Sequence, residues 1–207
     1  MKGLILKDFY MIMKYCRSFI FIIVVFLAVS CFGKDNTFFV IYPTLIAGLI
    51  PITLISYDER EKWSIYSTAL PYTRAQIVSS KYLIGLFFQL SVLLLSAVAH
   101  AYRMVVAGSF VWNDYLPFLL PIFAIGIIGP SLVLPFIFRF GAEKGRIAYY
   151  VVIGALCAVA TAAAGSGLKI SEQLMVEWML VVIIAAAVIL YAISWGLSIL
   201  FYRGREL

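Results

Sequence analysis

SYDEREKWSIYSTALPYTRAQIVSSKY, residues 56–82, is the long polar interruption in an otherwise apolar chain, and its reading decides the fold. Asp58, Glu59, Arg60, Glu61 and Lys62 form a run of alternating charge. Each charge would cost roughly 2.5 to 3.5 kcal/mol at the centre of a membrane helix, so the run is expected in water between two spans. Trp63, Tyr66 and Leu70 follow at i, i+3 and i+7, which gives a short helix one apolar stripe in need of a partner surface. Pro71 stops that helix. Thr73-Arg74-Ala75-Gln76 then fits a capping box: the Thr73 hydroxyl accepts from the Gln76 N–H, and the Gln76 side chain reaches back to the Thr73 N–H. Tyr72 and Ile77 occupy the positions of a hydrophobic staple. A new helix therefore starts at Arg74, about two turns before the membrane is expected to begin near Tyr82. A short helix, a stop and a rigid restart suit a lever that passes force into the next helix. The same residues also read as an ordinary solvated connection with an interfacial Trp and Tyr.

Composition agrees with a chain built around the membrane. Of 207 residues, 64% are hydrophobic and 13% charged, with a mean hydropathy of +1.05. A soluble domain has roughly 45 to 50% apolar and 25% charged residues, so an integral, all-α membrane protein is expected. The net charge of +6 does not imply nucleic acid, because in a membrane chain placement says more than the sum. Cys16, Cys31 and Cys157 have neither pairing nor metal spacing and read as small buried hydrophobes.

Six apolar segments are long enough to cross a core of about 30 Å with help from flanking residues. They lie at 17–32, 38–56, 82–102, 115–138, 147–164 and 174–202, within one transmembrane domain of residues 1–207. Residues 1–16 precede the first span. There Ile5, Phe9, Ile12 and Cys16 fall on one helical face with Lys7 and Lys14 opposite, the pattern of an amphipathic helix lying in the interface. A secretory signal is the other reading of this basic and then apolar start. Pro43 and Pro51 interrupt the second segment, and Pro117, Pro121, Gly126, Gly129, Pro130 and Pro135 the fourth; such breaks need protein or a wet cavity around them, so both helices are expected to face other helices. The fifth is rich in Gly and Ala, which favours close helix contact, and the sixth is long enough to tilt or protrude.

Charge placement orients the chain. With the N-terminus inside, Lys2, Lys7, Lys14, Arg17, Arg60, Lys62, Arg74, Lys81, Arg139, Lys144, Arg146, Arg203 and Arg205 are cytoplasmic, and only Lys34, Arg103 and Lys169 lie outside. That asymmetry predicts both termini and the loop of residues 57–81 in the cytoplasm.

Polar groups inside the spans are few. Gln89, His100 and Arg103 on the third segment are the candidates for a translocation path, and Glu177 opens the sixth. Arg103 also reads as a snorkelling anchor and His100 as a packing histidine. One histidine in the chain makes a histidine-based metal site unlike this sequence. No GxxxxGK[ST], GxSxG or HExxH occurs, so the chain is not expected to be an enzyme or to hydrolyse ATP in the P-loop manner. The spans also lack an acidic proton relay, which weighs against an ion-coupled pump.

With the MKGLILKDFYMI opening, the six segments and the loop motif YDEREKWSIYSTALPYTRAQIVSSKY, the chain resembles the small permease subunits of ABC exporters of the type-2 class, in particular the phenol-soluble modulin exporters of Gram-positive bacteria. The elements that carry the loop resemblance are Asp58-Glu59, Trp63, Leu70-Pro71, Thr73-Arg74 and Lys81-Tyr82. The resemblance implies a multi-pass protein of the bacterial plasma membrane with residues 1–16 as an elbow helix. It implies a homodimer or a pair of related permeases, with a separate ATPase, carrying ATP and Mg2+, docked on each loop. Residues 57–70 would form the coupling helix, and Tyr57, Asp58, Glu59, Arg60, Trp63, Tyr66, Leu70 and Arg74 would couple to the ATPase. No cofactor would be bound by this chain, and the substrates would be amphipathic or antimicrobial peptides or other hydrophobic molecules. A dimer surface is expected on the first and fifth spans. A non-transporting immunity or scaffold protein and a secondary transporter are the other readings.

Overall fold

A computed structural model of the chain describes residues 2–32, 37–106, 108, 112–145, 147, 150–151 and 176–204. Among these every regular element is helical. The order is α1 (Lys2–Tyr15), α2 (Arg17–Phe32), α3 (Thr37–Arg60), α4 (Trp63–Thr68), α5 (Arg74–Val106), α6 (Trp112–Phe140) and α7 (Val176–Arg203). Four stretches are long and apolar enough to cross a membrane: Phe38–Arg60, Arg74–Val106, Tyr115–Phe140 and Val181–Arg203. A fifth is obtained if α1 and α2, which meet at a 71° bend, act as one broken span. The expected span at 147–164, with Cys157 and the Gly/Ala run, lies outside the described residues apart from its first few positions, and so does the Glu177 side chain.

α1 uses most of the face its pattern suggested, with Ile12 and Cys16 buried and Ile5 packed on the same core, but the buried side extends further round the helix. Leu4, Asp8, Met11, Ile12 and Cys16 turn inward, whereas Phe9 is 40% exposed and Lys7 reaches into the protein. The buried arc extends beyond the apolar stripe on the side of Asp8, and Phe9 at the other edge is left outside. The cause is Asp8: a carboxylate has to be paired if it is buried, and the α5 residues Lys81 and Ser80 supply that pairing. Cys16 is buried as expected, while Cys31 is half-buried.

The prolines do not interrupt α3 or α6, each of which runs as one helix through all of them. Pro43, Pro51, Pro130 and Pro135 are buried against neighbouring helices. Two of them meet a glycine across the interface. A Cβ on Gly85 would stand 3.1 Å from Pro51 Cγ, and one on Gly48 would stand 3.2 Å from Pro130 Cγ, so the small residue is what lets each rigid ring approach.

The carbonyl that Pro135 releases, that of Ser131, accepts the Ser194 hydroxyl of α7 at 2.6 Å. Ser194 has a single proton, so the Tyr82 hydroxyl donates to Ser194 at 2.7 Å and accepts from Ser198 at 2.7 Å. Tyr191 donates to the Tyr82 carbonyl at 2.7 Å, and the Trp195 ring stacks on the Tyr82 ring at 5.6 Å. One fully buried tyrosine thereby ties α5, α6 and α7 together at the end that carries α4.

Candidate functional site

The segment between α3 and α5 is folded onto the bundle rather than held away from it. α3 continues through Tyr57, Asp58, Glu59 and Arg60, so these residues belong to its last turn and not to a separate helix of residues 57–70. Lys62, in the left-handed conformation at φ 54 and ψ 32, breaks the chain direction. α4 follows as a helix of 6 residues. The capping box forms as the sequence requires: Gln76 N–H donates to Thr73 Oγ1 at 3.2 Å, and Thr73 N–H donates to Gln76 Oε1 at 3.1 Å.

Asp58 is not a solvated handle charge. It is 7% exposed, against 1% for Asp8 and 3% for Lys81. Lys81 Nζ lies 2.6 Å from Asp8 Oδ1 and 2.5 Å from Asp58 Oδ2, and Lys7 Nζ lies 2.6 Å from Asp58 Oδ1. Two cations and two anions from α1, α3 and α5 thus neutralise one another beneath α4. Balance of this kind is what lets charge persist where solvent is scarce. The sequence signal was the lone Asp8 among apolar residues of α1, paired in number by Lys81 at the far side of the loop.

The other loop residues divide into anchors and an outward face. Trp63 points inward, against the core formed by Ile77, Tyr82 and Phe138, with Lys7 Nζ 3.9 Å from its ring centroid. Tyr57 stacks on Tyr15 at 4.3 Å, and Tyr15 donates to Glu61 at 2.7 Å. Glu59 Oε2 accepts the Ala142 N–H at 2.7 Å and so caps the turn that follows α6. Arg74 Nη1 donates to the Arg203 carbonyl at 2.8 Å and to the Tyr202 carbonyl at 3.3 Å, a cation on the last carbonyls of α7. The expected stripe is therefore split: Tyr66 at 67% and Leu70 at 39% remain outside, and Ile65 at 59%, which the spacing did not single out, joins them. Arg60 is exposed at the end of α3. Two cavities flank Glu59, one of about 530 Å³ toward Arg60, Glu143 and Lys144, the other of about 260 Å³ toward Trp63, Lys81 and Tyr202.

The three candidate path residues do not meet at one point. Gln89 is buried, donates to the Thr44 carbonyl at 3.3 Å and presses against Gly126. His100 is stacked on Phe118 at 4.1 Å and on Tyr115 at 5.7 Å, with Arg103 Nη2 3.5 Å from its Nδ1. Among the described residues no cluster of His, Cys, Asp or Glu could hold a metal.

The family described as ABC-2 family transporter protein matches residues 3–203. The chain belongs to that family. No curated protein matches it. For an ABC-2 transporter protein the exposed apolar face at α4 is the feature with the clearest chemistry: a small patch on a short helix that is held to the bundle core by Trp63, with Lys7 of α1 over its ring.

Proposed function

We propose that this ABC-2 family chain is the membrane permease subunit of an ATP-binding cassette exporter, with α4 as the coupling helix and α1 as the elbow helix. A separate ATPase holds ATP and Mg2+ and docks on Ile65, Tyr66 and Leu70. The observation that carries this reading is the division of this region: Asp58 and Glu59 at the end of α3 and Arg74 at the start of α5 pin the two ends of the loop to the bundle, Trp63 packs inward on the core, and Ile65, Tyr66 and Leu70 are exposed. A docked partner would push on a rigid unit. α5 begins in that unit and runs on for 33 residues, roughly 50 Å at 1.5 Å each, so displacement of α4 reaches the far side of the bilayer.

The excess of Lys and Arg at the α4 end supports a cytoplasmic location for this end and for both termini, in a bacterial plasma membrane. Two copies assemble as a homodimer or pair with a related permease. Phe21 and Val24 of α2, at 68% and 56% exposure, supply an apolar face for that contact together with the fifth span. The cargo is an amphipathic or antimicrobial peptide or another hydrophobic molecule, in the manner of the phenol-soluble modulin exporters.

Purification of the tagged chain from mild detergent, with identification of companions and an ATPase assay, tests this. A P-loop ATPase in fixed ratio, lost in an Ile65→Ala/Tyr66→Ala variant that still folds, is the expected result. A homo-oligomer with no ATPase overturns it and points to an immunity or scaffold role.

A further inference from the structure

We infer that the outer side of α1 is a docking surface for anionic phospholipid of the inner leaflet, and that this contact helps to seat the loop that carries α4. The two sides of α1 are used differently. One buries Leu4, Asp8, Met11 and Ile12 against the bundle. On the other, Lys2, Leu6, Tyr10 and Met13 fall within about 80° of arc, at about 100° per residue. Leu6, Tyr10 and Met13 are 57%, 67% and 51% exposed, so nothing among the described residues covers them.

Two observations bring this side to the bilayer. With α2 as the first span, the 71° bend between α1 and α2 lays α1 close to the membrane plane. Phe9, at the edge of the same side, packs on Phe88 of α5 with ring centroids 6.2 Å apart. Phe88 follows the exposed Phe87 and lies roughly 9 Å further into the membrane than Tyr82. An interfacial helix buries its apolar side about 5 to 10 Å deep, so the outer side of α1 continues the exposed surface of α5 at the level such a helix occupies.

Charge selects the lipid. Lys2 and Lys14 are exposed on α1, and Arg17 is exposed just past the bend. Among the described residues none of the three forms an ion pair. The one acid of α1, Asp8, is 1% exposed and already held by Lys81 at 2.6 Å. Glu61 comes near the Lys14 end by accepting from Tyr15 at 2.7 Å, and it stands between Arg60 and Lys62 in the chain. An apolar stripe rimmed by cations complements acyl chains beneath phosphate, and binding of that kind strengthens with anionic lipid.

The inner side of α1 reaches both ends of the loop. At one end Tyr15 stacks on Tyr57 and donates to Glu61; at the other Asp8 accepts from Ser80 and Lys81. Lys7, between them, donates to Asp58 at 2.6 Å and lies over the Trp63 ring. Lipid that holds α1 therefore holds the loop as well, and anionic lipid strengthens coupling to a partner docked on α4. That consequence rests on the exporter reading. The lipid contact does not.

Lipid-borne quenchers test the contact. Met13→Cys, in a chain whose Cys16, Cys31 and Cys157 are replaced by Ala, is labelled with bimane and reconstituted in phosphatidylcholine vesicles. Doxyl-labelled phosphatidylglycerol or doxyl-labelled phosphatidylcholine is then included at the same mole fraction. Severalfold stronger quenching by the phosphatidylglycerol is expected, since each Lys or Arg near an anionic surface is worth about a fivefold preference. Lys2→Gln, Lys14→Gln and Arg17→Gln together should bring the two lipids level while quenching by phosphatidylcholine persists, and added salt should act in the same direction. Equal quenching by the two lipids with the cations intact, or a preference that survives the three substitutions, overturns the proposal. No quenching by either lipid also overturns it, and points to a second copy or another protein on this side of α1. Because replacement of the buried Cys16 can disturb packing, the unaltered protein is also examined by native mass spectrometry from detergent containing both lipids in equal amount. More phosphatidylglycerol than phosphatidylcholine adducts, with the excess lost on the three Gln substitutions, supports the surface, and equal adducts overturn it. Neither readout uses the ATPase, so indifference to lipid charge leaves the exporter reading standing, and loss of the ATPase leaves the lipid surface standing.

Discussion

Lys81 and Asp8 form an ion pair at 2.6 Å with 4% and 1% of their side chains accessible, joining the middle of α1 to the first turns of α5. A charge this deep is costly to strand. Lys81→Met removes the cation shared by Asp8 and Asp58 and should destabilise the folded chain by about 3 to 5 kcal/mol. Asp8→Leu combined with Lys81→Leu leaves Lys7 and Asp58 still matched, and should lose less than Lys81→Met alone. Thermal unfolding of the purified protein in detergent reads both. A double variant at least as damaged as the single one would refute charge stranding as the cause.

Trp63 and Tyr66 are three residues apart on the same six-residue helix and do different work. Trp63 is packed on the core with Lys7 over its ring, so Trp63→Ala should cost about 3 kcal/mol, the low end for a large aromatic because the residue is half-buried. Tyr66 is 67% exposed, so Tyr66→Ala should change stability by less than about 0.5 kcal/mol while weakening capture of the ATPase. Unfolding midpoints and co-purification, measured on both variants, separate the two roles. Equal stability of the two variants would show that Trp63 is not an anchor.

Much of this region was legible in the residues. The capping box at Thr73 and Gln76 formed because its partners are local and need nothing else from the fold. The spans at residues 38–56, 82–102 and 115–138 each lie within α3, α5 or α6 for the equally local reason of apolar run length. Asp58 escapes the sequence reading because an alternating charge run looks solvated until other chain segments, here α1 with Lys7 and α5 with Lys81, meet it. Trp63 was read as part of an outward stripe for the same reason: spacing shows that residues share a face, and only tertiary packing decides which way the face turns. The prolines of α3 and α6 looked like breaks because their compensation is non-local, a glycine on another helix or the Ser194 hydroxyl.

Gly126 and Gly129 lie one turn apart on α6 in different surroundings. A Cβ on Gly126 would overlap the Gln89 amide and stand 2.8 Å from Thr44 Cγ2, whereas one on Gly129 meets nothing within 4 Å. Gly126→Ala should therefore destabilise by about 1 to 3 kcal/mol through overpacking. Gly129→Ala should be neutral or slightly stabilising, since Ala is the better helix former. Chemical unfolding of the two variants checks the order, and equal losses would mean that α6 does not contact α5 at Gly126.

Ser194 is needed because Pro135 is there. The proline withholds the N–H that the Ser131 carbonyl would otherwise receive inside α6, and Ser194 of α7 donates in its place at 2.6 Å. Ser194→Ala should cost about 1 to 3 kcal/mol by orphaning a buried carbonyl and removing the acceptor for Tyr82. Pro135→Ala restores an N–H at the position that can bond Ser131 within the helix. In the native background that donor competes with a hydroxyl already in place and gains little. In the Ser194→Ala background it should recover about 1 kcal/mol, so the two substitutions are coupled and not additive. A double-mutant cycle on unfolding free energy measures that coupling, and a cycle that closes at zero would show that the Ser131 carbonyl does not depend on Ser194.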